Sequence, residues 1–451
     1  MKKVLIANRG EIAVRIIRAC RELRLPTVAV YSLADKDAMH VRLADQRVCI
    51  GAAPSKDSYL NIPAVLSACK LTGADAVHPG FGFLAENSDF ARGCADQGIK
   101  FIGPSPESMD LLGNKARAKA TMREAGVPVI PGSTGTVPDV LLAKQIALRI
   151  GYPIMVKASA GGGGRGIRVA HTEEELEFAF KTARQEAIAC FGDGEIYMEK
   201  FLINPRHIEV QILADEHGNV IHLGERDCSV QRRNQKMIEE SPSPAPMMDA
   251  QLRERMGEAA KKAVKAADYC NAGTIEFLVD ANGDFYFMEM NTRVQVEHPV
   301  TEMVTGLDIV KQQIAIAQGN PLPVTQEQVQ MKGHSIECRI NAEDPKNDFC
   351  PSPGVVKTTY MPGGMGVRVD SAVYAGYKIP PYYDSMIAKV IVHGATREEA
   401  ILKMRSALAD FYVDGISTNL EYQRALLQNE DFTAGNYNIG FLERVMKEGR
   451  L

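Results

Sequence analysis

The sequence lacks long hydrophobic runs, paired cysteines and a large excess of charge of either sign. No apolar stretch reaches the ~20 residues that a membrane-spanning helix needs, so we expect no membrane partner. Nine cysteines are scattered without a Cys-x-x-Cys pair, which argues against a zinc site or a disulfide framework and indicates a reducing, cytoplasmic setting. A net charge of −4 shows no excess of basic residues that would bind a polyanion, so we expect no nucleic-acid partner. Charge also interrupts the N-terminus too early for a signal peptide.

What remains is the composition of an ordinary globular protein, with 45% hydrophobic and 24% charged residues. A length of 451 residues predicts about three domains. Over 1–113, short apolar runs alternate with helical patterns, which predicts an α/β domain with a doubly wound parallel sheet. The turns at 8–11 and 78–83 would lie at its ligand-binding edge. A second domain is predicted over 114–323, and Gly- and Pro-rich turns between short strands predict a smaller α+β closing domain over 324–451.

A run of four glycines is the most unusual feature of the second domain. Lys157 ends a short apolar run, and the glycines at 161–164 are followed by Arg165 and Gly166. Glycine lets a backbone approach a ligand closely, and a lysine beside it can neutralise phosphate charge. The spacing fits neither the Walker loop nor the dinucleotide fingerprint. The segment by itself leaves two interpretations open, a phosphate-binding loop and a flexible surface loop.

Two strand-like runs, 274–280 and 285–291, flank a turn and predict a β-hairpin. If the last residue of the first run pairs with the first residue of the second, Glu276 lies directly opposite Glu289. Side chains alternate between faces, so both carboxylates and Asn291 share one face. Such hard oxygen ligands suit Mg²⁺ or Mn²⁺. The alternative is an acidic, solvated strand face.

The segment that follows the hairpin suggests an anion site with a base beside it. Arg293, Gln295 and Glu297 alternate, so in an extended chain they point the same way. An arginine fork binds a planar oxyanion, and a nearby glutamate can act as a general base, which suits a small carboxylate or carbonate. Lys236 lies in a basic stretch that is ordinarily a solvated surface. Arg339 shares a strand face with Glu337, so a structural salt bridge between them is the alternative to a functional role for Arg339.

Taken together, these segments make the chain resemble the biotin carboxylase family of ATP-grasp enzymes, from residue 2 to about residue 442. The resemblance is carried by the segments 8–13, 78–84, 157–166, 276–278, 289–299, 337–343 and 381–385. It implies a central ATP-grasp domain with a mobile lid at about 131–203, which the glycine run would help to close. It also implies a set of ATP-binding residues: Lys115, Lys157, Gly163, Gly164, Glu199, Lys200, Phe201, Leu202, His207, Gln231, Asn234, Glu276, Leu278 and Glu289.

The resemblance further assigns the two smaller substrates and the metals. Two Mg²⁺ or Mn²⁺ ions would be held by three residues, Glu276, Glu289 and Asn291. Bicarbonate would contact Lys236, Arg293, Gln295 and Val296, with Glu297 as the base that deprotonates it. Biotin would contact Arg339, which would stabilise its enolate-like form, and Phe81.

The activity that the resemblance implies is ATP- and bicarbonate-dependent carboxylation of biotin through carboxyphosphate, with ADP as a product. No Ala-Met-Lys-Met biotin-attachment motif is present, so the biotin would be on a separate carrier protein. We expect the biotin carboxylase component of acetyl-CoA carboxylase, acting in fatty acid synthesis with carboxyltransferase subunits. A homodimer is implied, with the helix of Arg18 and Glu22 and the loop at 362–368 at its interface.

Three alternatives stay open at this stage. The first is the ATP-dependent subunit of a two-subunit pyruvate carboxylase. The second is another ATP-grasp ligase, such as one that makes carbamoyl phosphate or a purine intermediate. The third is a non-catalytic nucleotide-sensing subunit, which would have no need for the base Glu297.

Overall fold

The computed structural model describes residues 1–158, 167–191 and 194–450. The glycine run at 161–166 lies outside the described residues, and so do the predicted ATP contacts of Gly163 and Gly164 and the predicted part of this run in closing the lid. In the part of the chain that is described, no helix combines the length and apolar character needed to cross a bilayer.

The first segment folds as the predicted doubly wound α/β unit. Its elements are β1 Val4–Ile6, α1 Gly10–Glu22, β2 Thr27–Ser32, α2 Met39–Leu43, β3 Gln46–Gly51, α3 Ile62–Thr72, β4 Ala76–His78, α4 Ser88–Ala95, β5 Lys100–Phe101 and α5 Pro106–Gly113. The strands form one parallel sheet in the order β3-β2-β1-β4-β5. The strand order reverses between β1 and β4, so the turns after these two strands meet at one edge of the sheet.

Asn8 holds these two turns together. Its side-chain amide donates to the carbonyl oxygens of Pro79 and Phe81, both at 2.7 Å. Gly80 between them has φ +64°, and a Cβ there would lie 2.9 Å from Asn8 Nδ2, so the close approach requires glycine. The two turns predicted at the ligand-binding edge are therefore joined by hydrogen bonds.

The second segment contains two packed units. Its elements are α6 Lys115–Glu124, α7 Val140–Ile150, β6 Ile154–Ala158, β7 Ile167–Ala170, α8 Glu173–Phe191, β8 Ile196–Lys200, β9 Arg206–Ala214, β10 Val220–Arg232, β11 Gln235–Ser241, α9 Ala250–Ala266, β12 Asn271–Val279, β13 Phe285–Asn291, α10 His298–Thr305 and α11 Ile309–Ala317. The small sheet β7-β6-β8 packs with α7 and α8 around its own core, which includes Val156, Leu176 and Met198. A second core, with Ile208 and Phe277, lies between strands β9, β12 and β13 and helix α9.

The third segment is the predicted mixture of short strands and helices. Its elements are β14 His334–Asn341, β15 Glu343–Asp344, β16 Cys350–Pro351, β17 Gly354–Val355, β18 Thr358–Tyr360, β19 Val367–Ser371, β20 Lys378–Ile379, β21 Met386–Gly394, α12 Arg397–Asp410, β22 Tyr412–Asp414, α13 Leu420–Gln428, α14 Glu430–Thr433 and α15 Phe441–Lys447. Helix α12 begins after Thr396, whose side chain accepts from the Glu399 amide at 3.2 Å and so caps the helix.

The second and third segments share one antiparallel sheet, which the sequence does not predict. Its eight strands run in the order β13-β12-β9-β10-β11-β14-β21-β19. The join is the pairing of β11 with β14, in which Ile238 lies opposite Cys338. Strands about a hundred residues apart in the chain thus place side chains of both segments on one continuous surface.

Strand β9 alternates polar and apolar residues from His207 to Ile212, which is typical of a half-buried strand, but all nine of its residues are buried. The polar face is covered by Arg226 of β10, whose side chain is completely buried. Its guanidinium donates to Glu209 at 2.5 Å and to Gln211 at 2.7 Å. An alternating pattern indicates which residues share a face, but a charged partner from another strand can bury the polar face as well.

Candidate active site

The hairpin of β12 and β13 places Glu276 directly opposite Glu289, as predicted. The strands pair one position earlier at the turn than expected, and the extra residue Met288 forms a bulge that restores the register. Asn291 lies on the same face, where its Nδ2 donates to Glu276 Oε1 at 3.0 Å. Three oxygen-bearing side chains therefore converge at the end of the hairpin.

Lys236 is the cation that connects this hairpin with the rest of the site. Its Nζ contacts Glu209 at 2.7 Å, Glu276 at 3.0 Å and Glu297 at 2.5 Å. The prediction of a solvated basic loop is wrong for this residue, because β11 turns its side chain inward to 13% exposure. Burial lowers the pKa of Lys236, but the acidic groups around it outweigh burial and hold the pKa well above its usual value. The ammonium stays charged.

Glu297 is held between two cations at the start of α10. Its Oε1 accepts from Lys236, and its Oε2 accepts from Arg339 Nη2 at 2.9 Å. Burial by itself would raise the pKa of Glu297. The charges of Lys236, Arg339 and Arg226 outweigh burial and keep the pKa well below the usual range for glutamate. Glu297 is therefore ionised at neutral pH.

Arg339 does not form the salt bridge with Glu337 that its strand position suggests. Its Nε donates instead to Glu239 Oε1 at 2.6 Å, across from β14 to β11, and its Nη2 donates to Glu297. Glu239 and Glu297 balance the positive charge of Arg339. The guanidinium thus ties two strands to the first turn of α10.

The segment with Arg293 and Gln295 is bent, not extended as predicted, because helix α10 begins at His298. The two side chains consequently reach different partners. Arg293 Nη2 donates to Asn291 at 2.8 Å and its Nε donates to Glu86 at 2.8 Å. Gln295 Nε2 donates to Glu276 at 2.8 Å. The bend brings these residues to the hairpin, and their convergence does not depend on strand alternation.

A large cavity between the three segments has most of the predicted site residues in its wall. His207 is in the wall, with its Nε2 3.1 Å from Glu276 Oε2 and its Nδ1 2.8 Å from Gln231 Nε2. The predicted residues in the wall are Phe81, Lys115, His207, Gln231, Asn234, Lys236, Glu276, Leu278, Glu289, Asn291, Arg293, Gln295, Val296, Glu297 and Arg339.

The structure does not bring the other described ATP residues to this cavity. They lie on or just after strands β6 and β8 of the small sheet and are Lys157, Glu199, Lys200, Phe201 and Leu202. Lys157 Nζ pairs with Glu199 at 2.6 Å, and Lys119 contacts the same carboxylate. Lys200 Nζ donates to two backbone carbonyl oxygens, those of Gly151 and Tyr152. Lys157 is thus paired with a carboxylate of its own sheet, whereas Lys200 is hydrogen-bonded to neutral carbonyl groups.

Several residues that contact the site were not predicted from the sequence. Glu209 and Arg226 support Lys236 and Gln295 from β9 and β10, and Glu86 holds Arg293 from the first segment. Lys389 is completely buried and donates to the Val296 carbonyl oxygen at 2.8 Å. A lysine inside the apolar run of β21 is a signal that could have identified Lys389, whereas Glu86 carries no local signal.

The donor set of the hairpin fits a hard divalent cation. Carboxylate and amide oxygens are the ligands that Mg²⁺ and Mn²⁺ prefer. Glu289 is 35% exposed towards solvent, and the cation beside it is Lys115 at 3.3 Å, on a side chain that is 79% exposed. Glu289 is thus accessible from the cavity, while Glu276 is fixed by its hydrogen bonds.

Comparisons with known proteins agree with this geometry. Three family profiles match the chain: "Biotin carboxylase, N-terminal domain" over 1–109, "Carbamoyl-phosphate synthase L chain, ATP binding domain" over 114–325 and "Biotin carboxylase C-terminal domain" over 337–444. Biotin carboxylase 1 of Bacillus subtilis is 58% identical over 444 residues, which cover 98% of each chain.

Two solved structures are similar over nearly the whole chain. The biotin carboxylase subunit of a pyruvate carboxylase is 52% identical, with a TM-score of 0.91 and coverage of 99% of this chain and 98% of the other. The biotin carboxylase domain dimer of the Hydrogenobacter thermophilus 2-oxoglutarate carboxylase, in complex with MgADP, ADP and bicarbonate, is 52% identical, with a TM-score of 0.88 and the same coverage.

The fold and the site define an ATP-dependent ligase built on an ATP-grasp domain. Within that class, the chain belongs to the biotin carboxylase family. Two of the alternatives, a different ATP-grasp ligase and a non-catalytic nucleotide sensor, are therefore excluded.

Proposed function

We propose that this chain uses ATP and bicarbonate to carboxylate biotin on a separate carrier protein, by way of carboxyphosphate. The observation that carries the proposal is the placement of Glu297 in the cavity wall, ionised and held between Lys236 and Arg339. A base in this position can deprotonate a small anion that binds to the same cations. A protein that only sensed nucleotide would have no use for this arrangement.

The first half-reaction begins when bicarbonate binds beside Lys236, Arg293, Gln295 and Val296. A carboxylate whose pKa is held low is a weak base, so Glu297 must lose part of its cation contacts before it can act. Bicarbonate oxygens compete for the same N–H donors, and each donor withdrawn from Glu297 raises its pKa. Bicarbonate binding thus raises the pKa of Glu297 and makes it a stronger base. Glu297 takes the proton, and the bicarbonate oxygen attacks the γ-phosphorus of ATP, with ADP as the leaving group.

The second half-reaction takes place on the Arg339 side of the cavity. Carboxyphosphate breaks down to CO₂ and phosphate, and the phosphate takes the proton from the biotin ureido nitrogen. Arg339 stabilises the negative charge that develops on the ureido oxygen, and the nitrogen then captures CO₂. Phe81, in the wall on the first segment, would contact the biotin ring.

Nucleotide and metal would bind at the hairpin side. Lys115, His207, Gln231, Asn234 and Leu278 offer contacts to ATP from the wall, and the contacts of Lys157 and of residues 199–202 stay a prediction. Glu276, Glu289 and Asn291 would hold Mg²⁺ or Mn²⁺, two ions per site. When bound, these ions would offset the negative charge of the phosphates.

Glu289→Gln should raise the Mg²⁺ concentration needed for half-maximal ATP cleavage by about tenfold or more, the lower scale for disturbing a metal site. The reason is that the substitution removes one charged ligand from the cavity side of the hairpin and leaves the contacts of Lys236 intact. Titrating the bicarbonate-dependent ATPase with Mg²⁺ measures the effect. Glu343→Gln, which changes a wall carboxylate outside the hairpin, is the matched control. Superimposable Mg²⁺ curves for Glu289→Gln and the unsubstituted chain would place the metal elsewhere.

We propose that the larger enzyme is acetyl-CoA carboxylase, with a biotin carboxyl carrier protein and carboxyltransferase subunits as partners. The support is the sequence resemblance together with the match, over 98% of each chain, to Biotin carboxylase 1 of Bacillus subtilis. The second candidate is the ATP-dependent subunit of a pyruvate carboxylase, which the 52% identity to such a subunit favours. Identifying the biotinylated protein that co-purifies with the chain, and the acyl acceptor of its partner, distinguishes the two.

We also propose a homodimer in the cytoplasm. The loop at 362–368 presents Met365 with 95% of its surface exposed, and Arg18 is exposed on α1. The related oxoglutarate carboxylase domain was solved as a dimer. The cysteines of the described residues are unpaired thiols, as in proteins of a reducing compartment.

A further inference from the structure

Two glutamates lie behind Arg339 and have no role in the reaction described above. Glu239 of β11 is directly opposite Glu337 of β14. Residues opposite each other on antiparallel strands point to the same face of the sheet. Both side chains are completely buried. The sheet therefore holds two carboxyl groups side by side, away from water.

Three of the four oxygens of this pair have no hydrogen-bond partner among the described residues. Glu239 Oε1 accepts from Arg339, whereas Glu239 Oε2 and both oxygens of Glu337 have none. A buried carboxylate without donors is costly, and two neighbouring carboxylates repel each other. A proton held between the two groups removes one charge and supplies one donor.

The charged groups around the pair come from every element packed against it. Arg339 shares β14 with Glu337, Lys236 lies on β11, and Lys389 of β21 is directly opposite Arg339. Glu297, at the start of α10, adds a negative charge. His298 of α10 is neutral, because burial and the nearby cations hold its pKa well below the usual value.

These cations already have other partners. Lys236 contacts three other carboxylates, and Arg339 divides its contacts between Glu239 and Glu297. Lys389 donates to the Val296 carbonyl oxygen and lies 3.2 Å from Glu11. If both members of the pair were ionised, balancing their two negative charges would require further cations, because Lys236, Arg339 and Lys389 already have other partners.

We propose that Glu239 and Glu337 share one proton at neutral pH and that this pair is a positioning element that sets the charge around Arg339. Burial raises the pKa of Glu239 to about 7, against the lowering effect of Arg339. Burial also raises the pKa of Glu337 well above the usual value, and the neighbouring Glu239 adds to the rise. The two groups titrate as a pair, so the proton belongs to both.

The shared proton has a consequence for the second half-reaction, and this consequence rests on the proposed role of Arg339. With one proton, the pair carries one negative charge, and the electrostatic potential of Arg339 on the side that faces the cavity stays positive. As pH rises through the titration of the pair, a second negative charge appears behind Arg339. Biotin carboxylation should then decline at alkaline pH while bicarbonate-dependent ATP cleavage is less affected.

Infrared spectroscopy of the full-length chain tests the shared proton directly, because a protonated carboxyl has a carbonyl stretch that an ionised carboxylate lacks. We compare the chain with Glu337→Gln and with Glu239→Gln at neutral pH, in light and heavy water. Glu240→Gln is the matched control, because the adjacent Glu240 faces Arg397 and His334 on the other side of the sheet, and its pKa is lowered to about 2 by these partners despite burial. Thermal melting verifies that each variant is folded.

A shared proton predicts a protonated-carboxyl band that is lost in both single variants of the pair and retained in the control. Loss is expected in both because each substitution removes the carboxyl group that repels the remaining one, and the charge of Arg339, which lowers the pKa of both groups, then favours ionisation. A band lost only in Glu337→Gln would mean that Glu337 alone holds the proton, which overturns sharing. A band unchanged in both variants, or absent from the unsubstituted chain, also overturns the proposal. If a variant does not fold, isotope labelling of glutamate in the unsubstituted chain still decides whether the band exists.

A second measurement keeps the failure of this proposal distinct from a failure of the proposed function. The ratio of biotin carboxylation to ATP cleavage is followed from neutral to alkaline pH in the unsubstituted chain and in Glu337→Gln. We expect the ratio to fall with pH only in the unsubstituted chain. A fall of equal size in the variant overturns the effect on Arg339. An infrared result in favour of the pair, together with no biotin carboxylation at any pH, would refute the proposed function and leave the shared proton standing.

Discussion

Glu297→Gln should reduce the bicarbonate-dependent ATPase by at least ~10²-fold, the lower scale of general-base catalysis. Glutamine keeps the shape of the side chain and can still accept from Arg339, but it cannot take a proton from bicarbonate. Any ATP cleavage that proceeds without bicarbonate should be nearly unaffected, because it would not use this base. Steady-state ADP release with and without bicarbonate measures both activities.

The matched control for this variant is Glu225→Gln. Glu225 is also a buried glutamate held by a cation, since Arg253 Nε lies 2.8 Å from its Oε2, but it is not in the cavity wall. This control separates the effect of losing a buried, charge-paired glutamate from the effect of losing the base. Equal bicarbonate-dependent turnover in Glu297→Gln and in the unsubstituted chain would remove Glu297 from the mechanism.

Arg339→Gln should slow biotin carboxylation by about 10²-fold or more, the scale for losing one donor to a developing oxyanion. Bicarbonate-dependent ATP cleavage should fall far less. The structure gives a reason for this separation, because Arg339 is one of the three cations that hold the pKa of Glu297 low. Its removal leaves the base stronger for the first half-reaction while the second loses its oxyanion partner.

Measuring ADP and carboxybiotin in the same reaction gives the separation of the two activities as a ratio. Arg339→Lys, which keeps the charge but loses the guanidinium fork, should give an intermediate ratio if geometry matters as well as charge. A parallel fall of both activities would show that Arg339 maintains the structure of the site and does not stabilise the ureido oxygen.

The hairpin could be predicted from the sequence because its information is local. Alternation placed Glu276 opposite Glu289, and the Met288 bulge that corrects the register changes the turn without separating the two carboxylates. The start of α3 also depends on local information, since the side chain of Asn61 accepts from the Ala64 amide at 3.1 Å and caps the helix.

The environment of Lys236 could not be predicted, because its three carboxylate partners come from three other parts of the chain. The same applies to strand β9, whose polar face is buried only because Arg226 covers it. The pairing of β11 with β14, which brings Glu239 and Glu337 together, joins distant strands that have no shared sequence signal. Local patterns specify which residues share a face, whereas burial and charge depend on which element packs against that face.

The most direct test of the central claim follows two labels from bicarbonate in one reaction with MgATP and free biotin. If the chain carboxylates biotin through carboxyphosphate, labelled carbon should appear in carboxybiotin, and an isotopically heavy oxygen from bicarbonate should appear in the released phosphate. Both should depend on ATP and be lost in Glu297→Gln. Labelled carbon in biotin without heavy oxygen in phosphate would contradict the carboxyphosphate route. ADP formation with neither label transferred would contradict the assigned activity.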